Sequence, residues 1–323
     1  MKALVTGATG FVGGHLVDRL LAQGDQVTAL VRSPAKAARL AELGVRLEPG
    51  DLHGMHALAR AAEGQDVIYH VAGAVAAKDE AAYLQGNRDG TLNMVRAAEA
   101  SGRPRFVLVS SMAAGGPSLP GTPRTDPEPS RPVTAYGRSK LGAEHIVRGS
   151  SLPWTILRPP MIYGPRDRDN LIKVFRIARL GVAPVFGDGS MELSAVYAPD
   201  LADALAHTAA ADATLGRTYY VCHPEVVTSA ELVRLIGHVM GRRVRIVGLP
   251  EGLARVILAV TGGAAKLAGQ VTILNADKAN EFYQAAWTGD PAPLIRDSGW
   301  RPAHDLASGL RATCAWYREA GWL

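Results

Sequence analysis

The stretch Thr6-Gly7-Ala8-Thr9-Gly10-Phe11-Val12-Gly13 decides the fold of this 323-residue chain. It follows a short apolar run, Lys2–Val5, and opens a segment, Phe11–Ala22, whose apolar residues recur at helical spacing. The glycines permit a tight turn and let backbone N–H groups approach a pyrophosphate, and the following helix adds its positive N-terminal end. Because it lies between a strand and a helix, the stretch predicts a dinucleotide-binding turn rather than a merely structural one.

Outward from this turn, apolar runs alternate with helical patterns through the first half of the chain. Predicted strands cover Lys2–Val5, Gln26–Val31, Val45–Glu48, Val67–Val71, Phe106–Val109 and Trp154–Leu157. Predicted helices cover Phe11–Ala22, Ala35–Glu42, His56–Ala62, Gly90–Ala100 and Ala135–Val147. Such alternation implies crossover connections, and therefore an α/β fold with a doubly wound parallel Rossmann sheet.

Beyond residue 160 the alternation loosens. A helix is predicted near Leu171–Leu180, a strand at Val196–Tyr197 and a helix from Asp200. We expect a smaller α+β C-terminal substrate cap that is interleaved with the first domain. Residues 1–163 and 194–212 would form the dinucleotide-binding domain, and residues 164–193 and 213–323 the cap. The Pro/Gly/Ser/Thr-rich loop Gly115–Pro132 is of a kind that often lies beside a site.

Composition narrows the functional class. The net charge is +5, but the arginines are scattered without a basic block, so we expect an anionic small ligand and no nucleic acid. Cys222 and Cys314 lie far apart, which favours a reducing, cytoplasmic compartment. The N-terminus lacks the apolar region of a signal peptide, and the apolar stretch Val256–Val260 is too short to span a bilayer, so no stable membrane insertion is expected.

Histidines offer no further site at this stage. His53 and His56 lie close together, but no carboxylate or Cys spacing around them suggests a metal, and none is expected. His15 is interpreted as a packing or surface residue of the first helix.

The end of the second strand bears on the choice of cofactor. NAD-binding sites usually place Asp or Glu there, whereas Arg accommodates a 2′-phosphate. This chain has Arg32, followed by Lys36 and Arg39, so NADP(H) is favoured over NAD, which stays possible. Asp51 and Leu52 follow the third strand, where an adenine edge would lie.

A catalytic group is predicted at Tyr136 and Lys140, whose spacing of four puts both side chains on one helix face. A nearby ammonium would lower the pKa of the Tyr136 phenol and let it give or take a proton at a carbonyl or alcohol. Ser110 and Ser111 end a predicted strand, at the sheet edge where ligands gather, and Ser111 could hydrogen-bond the same substrate oxygen.

Together these motifs resemble the extended short-chain dehydrogenase/reductase superfamily, whose members are epimerase/dehydratase-like. The matching motifs are Thr6–Gly13, Asp51-Leu52, His70–Ala74, Asn87–Thr91, Ser110-Ser111, Tyr136 with Lys140, Arg158-Pro159 to Pro165, Gly187–Gly189 and Gly299–Pro302. The resemblance implies a catalytic role for Ser111 and Tyr136, with Ser110 the less favoured serine. It also implies that Lys140 holds the nicotinamide ribose and that Asn87 supports the helix and a water network behind it.

The resemblance extends to cofactor contacts and assembly. The implied cofactor-binding residues are Thr6, Gly7, Thr9, Gly10, Phe11, Val12, Gly13, Arg32, Lys36, Asp51, Leu52, Val71, Ala72, Gly73, Tyr136, Lys140 and Pro159. A homodimer is implied through the helices Thr91–Ala100 and Ala135–Val147.

Three departures bear on the substrate. Dehydratases of the superfamily carry an Asp-Glu pair after the catalytic serine position, where this chain has Met112-Ala113. Nucleotide-sugar enzymes grip a diphosphate with an Arg that aligns with Leu193, although Arg166, Arg168 or Lys173 could substitute. The segment Leu249–Val260, continuing through Ala264–Leu267 to Val271–Leu274, resembles the apolar cap of steroid- and flavonoid-type reductases.

This cap segment has more than one interpretation. It either lines the pocket or packs in the core of the cap, and shallow membrane contact ranks below both, because its polar face is not notably basic. On balance we expect an NADPH-dependent reductase of an apolar ketone or aldehyde, or the reverse alcohol oxidation. The alternatives are a nucleotide-sugar 4-epimerase with tightly bound NAD and a non-catalytic dinucleotide sensor.

Overall fold

The computed structural model describes residues 1–267, 271–272 and 276–323, with the backbone alone at positions 266 and 267. The strands are β1 (Lys2–Thr6), β2 (Gln26–Val31), β3 (Arg46–Pro49), β4 (Val67–His70), β5 (Arg105–Val109), β6 (Trp154–Arg158), β7 (Met161–Tyr163), β8 (Val182–Phe186), β9 (Glu192–Leu193), β10 (Ala195–Tyr197), β11 (Arg217–Tyr220), β12 (Val227–Thr228), β13 (Arg245–Leu249) and β14 (Ala286–Trp287).

The helices of the first half are α1 (Phe11–Ala22), α2 (Ala38–Glu42), α3 (Met55–Ala62), α4 (Glu80–Leu84), α5 (Gly90–Ala100), α6 (Met112–Gly115) and α7 (Ala135–Arg148). Those of the second half are α8 (Leu171–Ala178), α9 (Ala198–Ala210), α10 (Ser229–Val239), α11 (Glu251–Leu267), α12 (Ala279–Phe282), α13 (Ala292–Ser298) and α14 (Leu306–Glu319). Short 3₁₀ turns cover Pro34–Ala37, Asp212–Thr214 and Ala276–Lys278, and a π-helical turn covers Gln85–Asp89.

The main sheet is parallel and seven-stranded, in the order β11-β6-β5-β4-β1-β2-β3. The chain reverses direction across the sheet between β1 and β4, and open sheets of this kind bind ligands at that switch point, beyond the carboxyl ends of the strands. Thr6 is level with Leu30 of β2 and His70 of β4, so the three strands end together there. The predicted fold class is confirmed.

Helices cover both faces of this sheet, as buried parallel strands require. One core joins the sheet to α1 and α9 through residues such as Leu16, Leu20 and Leu205, all fully buried. The other joins it to α3, α5 and α7. These two cores fix the strand ends at the switch point.

Three small sheets lie outside the main sheet among the described residues, and the cap has its own core. β8 pairs with β13, β9 lies between β12 and β14, and β7 pairs with β10. Phe175 of α8 and Tyr317 of α14 meet edge to face at 5.4 Å in the cap core.

Several sequence-based boundaries differ from the structure. The predicted helix 35–42 is a 3₁₀ turn followed by α2, because Pro34 and Ser33 start the turn earlier. Leu249 ends β13, where it pairs with Phe186, instead of starting the cap helix, which begins after Pro250. β11 pairs with β6 in the main sheet, whereas the expected division placed residues 213–323 in the cap.

The cap segment itself was interpreted as pocket lining or cap core, and for much of α11 the core interpretation is wrong. Leu253, Val256, Ile257 and Val260 are exposed, while Ala254 and Leu258 are buried. Residues 273 and 274 of the predicted continuation lie outside the described residues. Within the described ranges, no helix is long and apolar enough to cross a membrane.

Candidate active site

The glycine turn between β1 and α1 forms a cradle of backbone groups. Gly7 has φ +73°, a left-handed conformation, and a Cβ there would approach the Ala72 nitrogen to 2.8 Å. A Cβ on Gly13 would collide with the Gly7 carbonyl oxygen. Gly10 precedes α1 and offers no side-chain cap, so the first N–H groups of the helix stay available to an anion. Thr9 is exposed in the turn, and Phe11 and Val12 are the half-buried first residues of α1.

A polar chain joins this turn to the loop after β4. The Ala72 N–H donates to Thr6 Oγ1 at 3.1 Å, and Thr6 Oγ1 lies 2.9 Å from His70 Nδ1. Val71, Ala72 and Gly73 therefore run beside the glycine turn. Burial lowers the pKa of His70 to about 3, so this imidazole is neutral at physiological pH.

The cations after β2 divide into two groups. Arg32 and Lys36 are exposed and form no ion pair within the described part of the chain. Arg39, in contrast, is bound to Asp18 of α1 at 2.7 Å. Arg32 and Lys36 are thus available to a phosphate, while Arg39 is already paired.

Asp51 and Leu52 lie beside these cations, because β3 pairs with β2 and the Gly50 N–H donates to Val31 O. Asp51 Oδ1 accepts from the backbone N–H groups of His53 and Gly54, which fixes the turn. The Leu52 carbonyl accepts from Asn93 Nδ2.

Tyr136 and Lys140 occupy the first turns of α7, capped by Thr134, which accepts from the Gly137 N–H. Lys140 is buried and its Nζ donates to the Val109 carbonyl at 3.0 Å. Burial lowers the pKa of Lys140 to about 8, and Glu144 opposes that shift. A Cβ added to Gly73 would lie 3.0 Å from Lys140 Nζ, so the ammonium reaches the loop after β4.

The expectation that Lys140 lowers the pKa of Tyr136 is wrong for this arrangement. Removal of water around the phenol raises the pKa of Tyr136 to about 12, and a hydrogen bond from Ser111 only partly opposes this. Lys140 directs its ammonium to Val109 instead. Tyr136 is therefore a neutral phenol and a proton donor at physiological pH.

The two serines after β5 have separate partners. Ser111 caps α6, accepts from the Ala113 N–H at 3.2 Å and hydrogen-bonds Tyr136. Ser110 is buried and donates to Glu144 at 2.5 Å. The Pro159 carbonyl, after β6, accepts from the Met112 N–H and so holds the segment that carries Ser111.

Asn87 links the loop after β4 to α7. Its amide donates to Ala74 O at 3.0 Å and to Ser139 Oγ at 2.8 Å, and its Oδ1 accepts from the Ala74 N–H at 2.7 Å. It lies in the π-helical turn, and such turns often mark functional sites. The expected supporting role thus takes the form of direct hydrogen bonds.

Sequence reasoning missed the buried charges behind α7. Arg158 donates to Glu144 through Nε at 2.9 Å and through a terminal nitrogen at 2.7 Å, and its other terminal nitrogen donates to the Tyr220 hydroxyl oxygen at 3.1 Å. Burial alone would lower the pKa of Arg158, but Glu144 raises it above its ordinary value. The spacing of Tyr136, Lys140 and Glu144, four residues apart, could have placed Glu144 on the same face of α7, but it gives no indication of the partner Arg158.

Tyr83 and the segment before β14 complete the surroundings of Tyr136. The Tyr83 ring lies 5.9 Å from the Tyr136 ring, and its hydroxyl donates to Val75 O, whose own side chain is exposed. Asp277 accepts from the Ala135 N–H at 2.9 Å, and Glu281 accepts from Thr134 at 2.8 Å. The cap therefore contacts the start of α7 directly.

Three of the four positions that could grip a diphosphate are apolar or already paired. Leu193 is half-buried in β9 and packs on the cap core. Arg166 binds Asp18 at 2.6 Å, and the Arg168 guanidinium lies 5.2 Å from the Trp322 ring. Lys173 is half-buried on α8. Among the residues that the structure describes, no group of three metal-ligating side chains occurs.

Comparison with known proteins agrees with this geometry. The family model described as the NAD dependent epimerase/dehydratase family matches residues 3–222. The chain belongs to this family. It is accordingly an NAD(P)-dependent enzyme of the extended short-chain dehydrogenase/reductase type.

Two relatives and one solved structure illustrate the range of this family. The ceramide reductase of Caulobacter vibrioides is 33% identical over 319 residues, covering 99% of this chain and 95% of the relative. The UDP-glucose 4-epimerase of Vibrio cholerae is 26% identical, covering 98% and 95%. A structure of the UDP-glucuronic acid 4-epimerase from Bacillus cereus superposes with a TM-score of 0.80 at 19% identity, covering 99% of both chains, which shows a shared fold.

Proposed function

We propose that this enzyme is an NADPH-dependent reductase of the ketone or aldehyde group of a largely apolar small molecule, or oxidises the corresponding alcohol. The observation that carries the proposal is the replacement of a diphosphate-gripping arginine by Leu193, together with the pairing of Arg166 and Arg168 elsewhere. A buried diphosphate needs charge-assisted partners, so an uncharged, apolar substrate suits this site better.

The proposed chemistry follows from the state of Tyr136. The nicotinamide, when bound, supplies the hydride. Because the pKa of Tyr136 is raised to about 12, its phenol is protonated and donates a proton to the substrate carbonyl oxygen. Ser111 would hydrogen-bond the same oxygen. Lys140 of α7, whose ammonium reaches the loop after β4, would hold the nicotinamide ribose. Asn87 acts as a positioning residue, because it ties that loop to Ser139 of α7.

The dinucleotide fits the glycine turn and the end of β2. The turn leaves no room for side chains at Gly7 and Gly13, and α1 presents backbone N–H groups that suit a pyrophosphate. NADPH is preferred in this proposal because Arg32 and Lys36 are exposed, form no ion pair among the described residues and stand where a 2′-phosphate is expected. The remaining proposed contacts are Thr6, Thr9, Gly10, Phe11, Val12, Asp51, Leu52, Val71, Ala72, Gly73 and Pro159.

The surroundings of Tyr136 support an apolar substrate. Tyr83 lies against Tyr136 and leads to the exposed Val75, while Leu119 is exposed on the loop after β5. The loop after β4 carries Val75, and the loop that follows β5 and α6 carries Leu119. Both loops follow strands at the carboxyl edge of the sheet, where the substrate would enter. The Caulobacter relative is named for the reduction of ceramide, an apolar molecule, and covers nearly the whole chain.

The test follows NADPH absorbance with a panel of long-chain and polycyclic ketones and aldehydes. Tyr136→Phe should reduce the rate at least about 100-fold, because proton donation contributes that much in general acid catalysis. Tyr83→Phe is the matched control and should retain most of the activity. If no compound is consumed but nucleotide sugars are epimerised with retained cofactor, the enzyme is a 4-epimerase. If Tyr136→Phe leaves the protein's measurable function intact, a dinucleotide sensor is indicated.

We propose two interleaved units. Residues 1–163 and 194–212, together with β11, would form the dinucleotide unit, and the rest of residues 164–193 and 213–323 would form the substrate unit. We propose a homodimer through α5 and α7, where Leu92 and Leu141 are half-exposed. Buried thiols at Cys222 and Cys314 suit a cytoplasmic location.

A further inference from the structure

Helix α11 exposes an apolar stripe. Leu253, Val256, Ile257 and Val260 recur at the spacing of one helix face, and Val256 and Val260 are 60% and 65% exposed. The opposite side of the helix carries the buried Ala254 and Leu258. A helix packed only within the cap would show the reverse pattern, with its largest apolar side chains inside.

The two-stranded sheet of β8 and β13 exposes apolar side chains as well. Val182 and Val247 are exposed. Leu180, just before β8, is 77% exposed, more than any other large apolar residue that the structure describes. The alternating residues Ala183 and Val185 instead face inward and form a small core with Val233 of α10. The outer face of this sheet is therefore apolar and unpartnered among the described residues.

Contacts through α12 connect these two apolar features of the cap. Phe186 continues the outer face of β8 after Val182 and stacks on Phe282 at 4.2 Å. Phe282 belongs to α12, which packs against α11. The outer face of β8 is thus directed toward the segment that supports α11, and α8 and α10 lie on the other side. We call Leu180, Val182, Val247, Leu253, Val256, Ile257 and Val260 the apolar cap surface.

Arginines surround the sheet part of this surface. Arg179, Arg242, Arg243 and Arg245 are all exposed, and none of their side chains forms an ion pair or hydrogen bond within the described part of the chain. Segments 176–187 and 240–250 contain no Asp or Glu. Exposed arginines elsewhere are often paired, as Arg138 is with Glu80 at 2.7 Å. The surface thus combines exposed apolar side chains with uncompensated positive charge.

This combination decides between possible occupants. A two-fold symmetric dimer would place the same patch against itself and bring the unpaired arginines of both copies together, which is unfavourable. A bilayer with anionic headgroups accepts both features, since the apolar side chains enter the interface and the arginines contact the headgroups. We propose that the apolar cap surface binds the surface of an anionic membrane, with α11 lying in the interface and not spanning it.

The sequence alone disfavoured this contact because α11 has no basic face of its own. The cations come from residues 179, 242, 243 and 245, which precede the helix in the chain and lie at or beside the adjacent sheet. Only the pairing of β8 with β13 brings them together. The proposal does not depend on the reductase activity, because membrane binding is measured without substrate.

The experiment is flotation of the purified full-length chain with vesicles. Vesicles of phosphatidylcholine alone are compared with vesicles that also contain phosphatidylglycerol. The chain should float with the anionic vesicles and be released by high salt. Arg242→Gln with Arg243→Gln should weaken partitioning about tenfold or more, because each cation near an anionic leaflet contributes roughly 1 kcal/mol. Val256→Glu with Val260→Glu should abolish it.

The matched control variants carry substitutions of the same kind at exposed positions outside the apolar cap surface. Leu43→Glu with Leu215→Glu replaces two other exposed leucines, and Arg301→Gln with Arg311→Gln removes two other exposed cations. Both controls should bind as the unsubstituted chain does. The proposal is wrong if anionic vesicles do not bind the chain, or if the controls weaken binding as much as the surface variants. It is also wrong if Val256→Glu with Val260→Glu only converts a dimer to a monomer by sedimentation.

Discussion

Glu144 of α7 and Arg158 of β6 form a two-point ion pair that is completely excluded from solvent. The bonds are 2.9 and 2.7 Å, and both residues have 0% exposure. Glu144 also accepts from Ser110 and lies one helical turn after Lys140. This single carboxylate therefore fixes Ser110 away from the substrate side and opposes the loss of charge on Lys140.

Replacement of Arg158 by Met should destabilise the protein by about 3–5 kcal/mol, because an uncompensated carboxylate would remain buried. Arg148→Met is the matched control. Its guanidinium also lies near Glu144, at 3.2 Å, but is 30% exposed, so its loss should cost about 1 kcal/mol or less. Urea unfolding monitored by circular dichroism measures both. The double variant Glu144→Leu/Arg158→Met should recover part of the loss, and equal costs for the two arginines would contradict this account.

The sequence predicted the sheet and the cofactor turn well, because both depend on local patterns. The glycines of residues 6–13 and the strand–helix alternation specify their structure within a few neighbouring residues. Tyr136, Lys140 and Ser111 could be proposed as a group for the same reason, since their spacing and the strand end are local, and their catalytic role stays a prediction. The ion pair of Glu144 with Arg158 joins α7 to β6, and nothing in either segment alone indicates that these charges meet.

The cap was predicted poorly for a related reason. Its strands are short, and their partners are distant in the chain, as β8 and β13 are. The apolar pattern of residues 249–260 indicated burial, but an apolar stripe has the same sequence whether it faces a core or solvent. The pKa of Tyr136 also depends on how much water its surroundings exclude, which a four-residue spacing does not determine.

The glycine cradle predicts a sharp difference between two adjacent positions. Gly13→Ala should abolish cofactor binding or folding, because the new Cβ would collide with the Gly7 carbonyl oxygen, a backbone atom that cannot move aside. Gly14→Ala should be tolerated, since its Cβ would meet only the end of the flexible Arg166 side chain, at 3.2 Å. Calorimetric titration with NADP⁺ and the melting temperature measure the two effects. Similar behaviour of the two variants would show that the turn does not approach the pyrophosphate.

The proposed NADPH preference rests on Arg32. Arg32→Asp should lower kcat/KM for NADPH about 100-fold, since a charge-assisted contact to phosphate contributes roughly 1.5–3 kcal/mol. The value for NADH should stay the same or rise, because Asp can accept from a ribose 2′-hydroxyl. Arg39→Gln is the control, because Arg39 already binds Asp18. If Arg32→Asp changes kcat/KM for NADPH and for NADH by the same factor, Arg32 does not contact the 2′-phosphate.

The buried imidazole of His70 predicts an acid-labile fold. Thr91 uses its hydroxyl hydrogen to donate to Asn87 O, so it must accept from His70 Nε2–H, and His70 Nδ1 then accepts from Thr6. The neutral ring is thus fully hydrogen-bonded, and burial lowers its pKa from 6.5 to about 3. The stabilising contribution is complete above pH 6.5, where the unfolded chain is also neutral. As the pH falls from there toward 3, the unfolded chain binds a proton that the folded state excludes, so stability falls by about 1.4 kcal/mol per pH unit.

Urea unfolding at a series of pH values below neutrality measures this slope. His15, whose pKa burial lowers to about 4, should add a similar slope over the upper part of the range. His70→Gln should be less stable than the unsubstituted chain at neutral pH, because the Thr6 and Thr91 contacts are disturbed, but its pH dependence should be shallower by about 1.4 kcal/mol per unit. The exposed His56→Gln is the control and should keep the full slope. An unchanged slope in His70→Gln would mean that His70 takes up its proton without opening the strand ends that hold the glycine turn.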